Sequence, residues 1–441
     1  MAFIAQEELF SWEEVEDLGD LERLRLVLDV LPDEKLMRKL EEWRGHGRDD
    51  YPVRAVWNSI LAGVVFQHRS VEGLRRELRR NAQLRQLCGF EVLKGVQAVP
   101  PSPVYSRFLK LLMKYSGEVQ EIFETLVERL MKELPDFGRL VAFDGKAIES
   151  HGNKRKEEDE AEADGRRDLD ANVGVKTYRG VNQDGTVWEK IKSWFGYKLH
   201  LVVDATYELP VAFTVTQASA AEQPQAKELF EHLHERQGAL LERCEAGMGD
   251  KGFDGEDLVK RLWDEYQIKP VIDIRNCWKE ADGGNTRVLS GQTNVVYDYQ
   301  GTVFCSCPRT GELRAMAYGG FEKDRETLKY RCPAAHYGVE CQGRSQCPVA
   351  GALRIPLSED RRVFTPVARS SYVWKELYKK RTAVERVNSR LDVSFGFENH
   401  FIRGQKKMHL QVSLALVVML GMALGRIQAK QKDKLRSLVA A

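Results

Sequence analysis

The stretch Leu140–Asp144, LVAFD, decides the fold expected for this chain of 441 residues. A short apolar run that ends on an acid is typical of a buried β-strand that presents a carboxylate at its end. Asp250 opens the segment DKGFD, and Glu385 lies in a stretch with helical periodicity. Any one of these acids alone is most simply a turn, helix-cap or solvated helix residue. The three together predict a site built from two strand ends and one helix face.

The segments between these acids predict a mixed sheet with helices. Strand and helix patterns alternate, and a hairpin is expected early in the series. In chain order, the elements are the strands Gly196–Asp204 and Leu209–Val215, the helices Ala226–Leu241 and Glu256–Tyr266, and the strand Pro270–Ile274. The weakest element is Cys244–Gly249, directly before Asp250, because its residues have poor strand propensity.

The helical spacing around Glu385 groups its polar residues on one face. At about 100° per residue, Tyr378, Arg381, Glu385 and Asp392 fall within a stripe roughly 60° wide. Arg381 lies one turn before Glu385 and is therefore placed to bind a phosphate with both arms of its guanidinium. We expect this polar face of the helix to line the site and an apolar face to pack against the protein core.

The spacing of Tyr378, Arg381 and Glu385 resembles the signature Tyr-x2-Arg-x3-Glu-x6-Lys of hairpin-forming, cut-and-paste insertion-sequence transposases. Asp392 stands where that signature has its final Lys. With Asp144 and Asp250, the chain resembles the DDE transposases, and its order of elements resembles the ribonuclease H-like fold. The resemblance implies an α/β protein with a ribonuclease H-like mixed-sheet catalytic domain, a helical N-terminal domain and a small Cys-rich insertion.

The chemistry expected of three clustered acids is phosphodiester cleavage. Oxygen ligands suit Mg²⁺ or Mn²⁺, and two such ions about 3.5–4 Å apart need no protein nucleophile. We assign Asp144 as the bridging ligand, Asp250 and Glu385 as flanking ligands, and Tyr378 and Arg381 as residues that orient the phosphate. The resemblance implies nicking at a transposon end, attack of the freed 3′-hydroxyl on target DNA, and a hairpin intermediate. Asp392 replaces the Lys of the signature, so one cation expected to contact the DNA in that intermediate is missing from this position.

A basic stretch near the N-terminus is the leading candidate for binding transposon ends. Apolar spacing predicts helices at Leu21–Val30, Val53–Phe66, Leu74–Leu87 and Phe123–Leu134. This block resembles the helical N-terminal domain of insertion-sequence transposases. The expected phosphate-binding residues are Arg75, Arg76, Arg79, Arg80 and Lys198. The phosphate contact that the signature Lys would make at position 392 is expected from Arg403, Lys406 or Lys407 instead. An ordinary solvated helix face is the alternative for the four N-terminal arginines.

Cysteines concentrate in one segment of the chain. Five of the eight lie close together, at Cys305, Cys307, Cys332, Cys341 and Cys347. In a reducing compartment, metal binding is the leading explanation for such clustering, so we expect a candidate structural Zn²⁺ site. The spacing is irregular, and packed thiols are the alternative. The segment lies between the last predicted core strand and the Glu385 helix, where related transposases carry an insertion that handles the DNA end.

Composition sets broad limits. The formal net charge of +1 excludes a generally basic coat and requires local patches for DNA binding. The early acids, among them Glu7 and Glu8, do not fit a secretory signal, so we expect a cytoplasmic protein. The apolar run Val412–Leu424 is shorter than a bilayer span, and a buried helix is expected there. The expected domains are 1–135, 136–274, 275–365, 366–428 and a basic tail, 429–441.

Several alternatives remain open from the residues alone. Asp204 is a rival metal ligand, although it also fits the first position of a hairpin turn, and His200 is expected to be structural. The chain also fits a structure-specific nuclease that does not join DNA, or a transposase-derived DNA-binding protein without activity. A zinc-dependent hydrolase is disfavoured, because the sequence contains no His-x3-His pair that would bind a catalytic zinc ion. Joining two ends implies a homodimer on DNA, by resemblance alone.

Overall fold

The computed structural model describes residues 18–46, 50–152, 168–182, 184, 186–278, 286–349 and 351–438. The charged sequence from Lys154 to Asp170 predicts a flexible loop, and most of that segment lies outside these residues. Within them, the chain forms a helical N-terminal region, a large mixed sheet with helices, and a smaller unit of short strands.

The N-terminal region is helical, as predicted. Its helices are α1 Glu22–Leu28, α2 Glu34–Arg44, α3 Val53–Val65, α4 Val71–Arg80, α5 Ala82–Cys88, α6 Ser102–Lys114 and α7 Ser116–Glu133. The prediction of one helix from Leu74 to Leu87 was wrong, because the chain turns at Asn81. The Asn81 side chain accepts the backbone N–H of Leu84 at 2.9 Å and thereby caps α5.

The large sheet has the mixed order of the ribonuclease H-like fold. Its strands are β1 Leu140–Glu149, β2 Asn172–Val181, β3 Val187–Asp204, β4 Leu209–Gln217, β5 Ala246–Gly249 and β6 Lys269–Ile272. The core order is β4-β3-β1-β5-β6, in which β4, β3 and β1 pair antiparallel and β1, β5 and β6 pair parallel. The predicted fold class is therefore confirmed, and the weakest predicted element, before Asp250, forms the strand β5.

Two features of the sheet differ from the prediction. Asp144 lies in the middle of β1, because β3 pairs with β1 as far as Glu149, so the expectation of a strand end at Asp144 was wrong. The first half of β3 also extends beyond the core and pairs with β2, a strand that we did not predict. Alternation of apolar and basic residues along this exposed ribbon is too weak to specify a strand without its partner.

Helices pack on the sheet and complete the core. They are α8 Glu222–Arg236, α9 Gly238–Arg243 and α10 Glu256–Lys260, with a π-helical turn at Arg261–Glu265. The short helix α11 Pro333–Tyr337 belongs to the Cys-rich segment, and α12 Tyr372–Lys379, α13 Thr382–Phe395 and α14 Gln405–Gln428 follow it and return to the sheet. The predicted helix Ala226–Leu241 is interrupted at Gln237, which has a non-helical conformation and begins α9.

The apolar helix α14 joins the N-terminal helices to the sheet. By length and composition it is the one described helix that is long and apolar enough to cross a bilayer, but 94% of its apolar window is buried inside the protein. A Cβ at Gly425 would lie only 2.9 Å from the backbone carbon of Leu26, so glycine permits close packing on α1. One hydrophobic core consequently spans both regions, and the prediction of a buried helix is confirmed.

The Cys-rich segment forms two small antiparallel sheets with a separate core. One contains β7 Thr286–Val288, β8 Val295–Asp298, β9 Val303–Ser306 and β10 Leu313–Ala315; the other contains β11 Ala317–Glu322, β12 Thr327–Arg331 and β13 Ala352–Pro356. The rings of Tyr297 and Tyr330 are buried in this core. Arg362 anchors the segment to the large sheet, since its Nε donates to Asp254 Oδ1 at 2.9 Å, four residues beyond Asp250.

The buried Asp204 carboxylate provides a test of the fold. It accepts the backbone N–H groups of Gly138 at 2.8 Å, Thr206 at 3.0 Å and Tyr207 at 2.5 Å. Asp204→Ala leaves these donors without their partner and should lower the free energy of unfolding by about 3 kcal/mol in urea titrations. Asp298→Ala, which removes a similar but only half-buried turn carboxylate, is the control and should cost less. Unchanged stability of Asp204→Ala would contradict this structural role.

Candidate active site

The parallel pairing of β1 with β5 brings two of the predicted acids together. Ala142 pairs with Met248, so the same register, continued by two residues, places Asp144 opposite Asp250. Asp144 Oδ1 accepts the N–H of Gly145 at 2.8 Å, and Asp250 Oδ1 accepts the N–H of Gly252 at 2.7 Å. These local bonds fix each carboxylate against its own backbone.

A third carboxylate, Glu222, lies between them and was missed by the sequence analysis. It begins α8, and a Cβ at Gly145 would lie 2.8 Å from its Oε1. A Cβ at Gly252 would collide with Glu222 Oε2 and lie 2.8 Å from Asp250 Oδ1. The two glycines therefore leave the space that the Glu222 carboxylate occupies beside Asp144 and Asp250. An acid in the first turn of a helix is so common that its sequence gave no separate signal.

The acids are buried close enough to perturb one another. Burial, followed by the charge of Asp250, raises the pKa of Asp144 to about 6, and Glu222 adds to this effect. Burial and Asp250 likewise raise the pKa of Glu222. Lys198 Nζ lies 3.9 Å from Glu222 Oε1, and burial lowers the pKa of this lysine. Lys176 also lowers the pKa of both Asp144 and Glu222, but burial and the charge of Asp250 outweigh these lysines, because both pKa values remain raised.

Glu385 stands at the edge of this group and is held by an arginine. Its side chain is 51% exposed, and Oε1 lies 2.8 Å from Arg381 Nη2. The Arg381 charge also interacts with Asp144. Among the described residues, no three His, Cys, Asp or Glu side chains are already grouped as a metal site. The structure nevertheless places Asp144, Asp250 and Glu222 near one another. The Glu385 carboxylate is instead paired with Arg381.

The signature residues do not share one helix, contrary to the sequence analysis. Tyr378 lies near the end of α12, and Arg381 immediately precedes α13. The N–H of Arg381 bonds to the carbonyl of Tyr378 at 3.0 Å, an i to i−3 contact that tightens the chain between the helices. Tyr378 stacks on Trp374 with ring centroids 4.6 Å apart, and the Arg381 guanidinium lies 5.7 Å from the Tyr378 ring centre.

Asp392 has a partner that its sequence position did not reveal. Its Oδ2 lies 2.5 Å from Nζ of Lys146, and both side chains are largely buried. Lys146 follows Asp144 by two residues on β1, so the two side chains leave the same face of the sheet. The pair joins α13 to β1 and balances the negative charge that replaces the signature lysine.

The other predicted DNA contacts lie away from the acids. Arg75 and Arg80 form ion pairs with Glu72 and Glu77 within α4, whereas Arg76 and Arg79 are exposed on the same helix. Lys406 and Lys407 are exposed at the start of α14, next to Arg403. That segment contacts the far end of β1, where the N–H of His151 donates to the carbonyl of Ile402 at 3.3 Å.

Asp204 and His200 serve the fold. The Asp204 carboxylate accepts the backbone N–H groups of Thr206 and Tyr207 in the turn after β3 and that of Gly138 before β1, and this structural use explains it without a metal. His200 Nε2 lies 2.9 Å from Thr216 Oγ1 on β4. Burial lowers the pKa of His200 to about 3, so its imidazole is neutral at ordinary pH. It does not have the near-neutral pKa that suits a general base.

Comparison with known families identifies the chain. Residues 135–420 match the family model described as Transposase DDE domain, and residues 10–111 match the Transposase domain (DUF772). The chain therefore belongs to the DDE transposase family. A search of curated proteins found no match. Among solved structures, the chain is similar to the piggyBac transposase in its cryo-EM synaptic complex with hairpin DNA, at 10% identity and a TM-score of 0.38, with 97% of this chain and 80% of that chain covered.

The raised pKa of Asp144 predicts how the metal-free protein responds to pH. A folded-state pKa of about 6, above the ordinary value of about 3.9, favours the protonated folded form. This contribution to stability is present below about pH 4 and is lost as pH rises through 6, by about 3 kcal/mol in total. Asp144→Asn should therefore unfold at a higher urea concentration than the wild type at pH 7.5 in EDTA, and this difference in the free energy of unfolding should vanish near pH 4.

Glu235→Gln is the control for this measurement, because Glu235 is an exposed acid on α8. Its stability should follow the wild type at every pH. If Asp144→Asn proved less stable than the wild type at pH 7.5 without metal, the buried charge repulsion inferred here would be wrong.

Proposed function

We propose that this protein is a DNA transposase that binds transposon ends, cleaves them and joins the 3′-hydroxyl ends to target DNA. The observation that carries the proposal is the convergence of Asp144, Asp250 and Glu222 beside the Arg381–Glu385 pair. Buried carboxylates that repel one another are costly unless they hold cations. Membership of the DDE transposase family supports DNA as the substrate of such a site.

The donor set fits hard divalent cations. Every candidate ligand is a carboxylate oxygen, which suits Mg²⁺ or Mn²⁺ and not zinc. Asp144, Asp250 and Glu385 would hold the two ions, and Glu222 would be an additional ligand or an outer partner of these ligands. When bound, the ions activate the attacking oxygen and stabilise the departing one.

Arg381 is proposed to change partners when DNA binds. In the structure it neutralises Glu385 at 2.8 Å. A DNA phosphate offers two oxygens to the same planar guanidinium and competes for it. Transfer of Arg381 to the phosphate releases Glu385 toward Asp144, while Tyr378, stacked on Trp374, limits the directions that the guanidinium can take. The ligand set is thus completed only when the substrate is present.

The reaction balances without a covalent protein intermediate. Water attacks the phosphorus at the transposon end, its P–O bond forms as the P–O3′ bond breaks, and the departing 3′-oxygen takes a proton. The freed 3′-hydroxyl then attacks a target phosphorus, loses its proton and displaces the target 3′-oxygen. Attack on the opposite strand of the same end gives a hairpin. Joining two ends requires two copies of the site, and we propose a homodimer on DNA that acts in the cytoplasm.

Substitution of the acids tests the chemistry. Asp144→Asn, Asp250→Asn and Glu385→Gln should abolish Mg²⁺-dependent cleavage of a labelled transposon end, because each removes a ligand charge. Glu222→Gln should lower the rate by roughly 10- to 100-fold, as changes to outer partners of metal ligands do. End binding in gel-shift assays should persist in all four variants, and Glu235→Gln is the matched control on α8.

The same assay separates the alternatives. A precut end with a free 3′-hydroxyl should be joined to target DNA by the wild type. Cleavage without joining would favour a structure-specific nuclease, and binding without either step would favour a DNA-binding protein that has lost activity. Normal strand transfer by Asp144→Asn would contradict the assigned site.

Lys146 is proposed to supply the cation that the signature places at position 392. Its ammonium lies on the same face of β1 as Asp144, held by Asp392 at 2.5 Å. Lys146→Ala should weaken binding of cleaved ends about tenfold, or 1.4 kcal/mol, and reduce the slope of log affinity against log salt by about 1. Exchanging the pair, Lys146→Asp with Asp392→Lys, should recover most of the affinity. Loss confined to Lys406→Ala or Lys407→Ala would place the contact at the start of α14 instead.

A further inference from the structure

Five cysteines from separate parts of the insertion surround one cavity. The cavity has a volume of about 20 Å³ and is lined by Cys305, Cys307, Cys332, Cys341 and Cys347. It is large enough for one water-sized group and no larger. The first two cysteines come from β9 and the residue after it, Cys332 follows β12, and the last two lie in the loop before β13. The fold thus gathers thiols that the sequence spaces irregularly.

The spacing of two sulfurs fits coordination of a metal. Cys307 Sγ and Cys341 Sγ are 3.9 Å apart. Two thiolates bound tetrahedrally at about 2.3 Å from zinc would be ~3.8 Å apart, whereas a disulfide requires about 2.05 Å. These thiols are therefore close to the separation that a shared ion imposes, without being bonded to each other.

The surroundings of the sulfurs provide hydrogen-bond donors. Cys307 interacts with the side chain of Thr310 and with the backbone N–H groups of Arg309, Thr310 and Gly343. The Gly343 N–H also interacts with Cys341. A Cβ at Gly343 would lie 3.0 Å from Cys307 Sγ and 2.8 Å from Pro308 Cδ, so a side chain would crowd this arrangement. These contacts hold the sulfurs of Cys307 and Cys341 beside the backbone of Gly343.

Cys347 has a similar outer partner on the first sheet. The side-chain amide of Asn294 lies 3.2 Å from Cys347 Sγ and also donates to the carbonyl of Ser306 at 3.3 Å. Asn294 thereby ties the loop that carries Cys347 to the strand that precedes Cys307. Outer partners of this kind orient metal ligands and support their charge.

We propose that Cys307, Cys332, Cys341 and Cys347 bind one structural zinc ion that links the two small sheets of the insertion. Four thiolates complete a tetrahedral shell and leave no position for a reactive water, so the zinc would have a structural and not a catalytic role. Cys307 is preferred to Cys305 because its sulfur contacts that of Cys341; Cys305, which also lies near Cys332, Cys341 and Cys347, is the alternative fourth ligand. Cys332 is included because it alone of the five follows directly from the three-stranded sheet. Among the described residues, no three of these thiols are grouped around one centre, so binding would require their sulfurs to move into the cavity that they line.

Zinc content of purified protein tests the site independently of DNA cleavage. Under reducing conditions, elemental analysis should find one zinc per chain in the wild type. Cys307→Ser and Cys341→Ser should lose it, while Cys305→Ser and the exposed Cys277→Ser should keep it. Co²⁺ exchanged into the wild type should show thiolate charge-transfer absorption typical of tetrahedral sulfur ligation, which requires no variant to fold.

The outcomes are distinct from those of the proposed function, since neither readout involves DNA or the acids. A wild type without zinc or cobalt–thiolate absorption would leave five packed thiols and overturn the proposal. Zinc retained by both Cys307→Ser and Cys341→Ser, or lost on Cys305→Ser, would overturn the assigned ligands.

Discussion

Mutual repulsion of buried carboxylates is the constraint on which the rest of the site depends. Asp144 and Glu222 are buried, both have raised pKa values, and both are affected by Asp250. A fold tolerates such a group only if its elements hold it in place. The parallel register of β1 and β5, the start of α8 over two glycines and the backbone hydrogen bonds of Asp144 and Asp250 provide that support.

The position of Glu385 gives this constraint a functional meaning. Bringing a fourth carboxylate into the cluster without metal or DNA would increase the repulsion. Arg381 avoids that cost by holding Glu385 at the edge, where its side chain is half exposed. In the proposed function, substrate phosphate and metal would both favour the release of Glu385 from Arg381. We infer that this coupling would prevent cleavage of DNA before the end is correctly placed.

The sequence pointed to the acids whose local context is unusual for a surface carboxylate. An acid after an apolar run, an acid before a glycine turn and the Tyr-Arg-Glu spacing identified Asp144, Asp250 and Glu385. Glu222 was not found because an acid at a helix start is ordinary, and only the tertiary fold places it over Gly145 and Gly252. The Asp392–Lys146 pair was hidden for the same reason: its members are 246 positions apart in the chain.

Mn²⁺ anomalous diffraction from crystals of the protein bound to a transposon end would locate the ions relative to the acids. We expect two peaks about 3.5–4 Å apart, one in contact with both Asp144 and Asp250 and the other reached by Asp144 and Glu385, with Arg381 moved to a DNA phosphate. Peaks elsewhere, or Glu385 still paired with Arg381 while both ions are bound and the DNA end is in place, would contradict this arrangement.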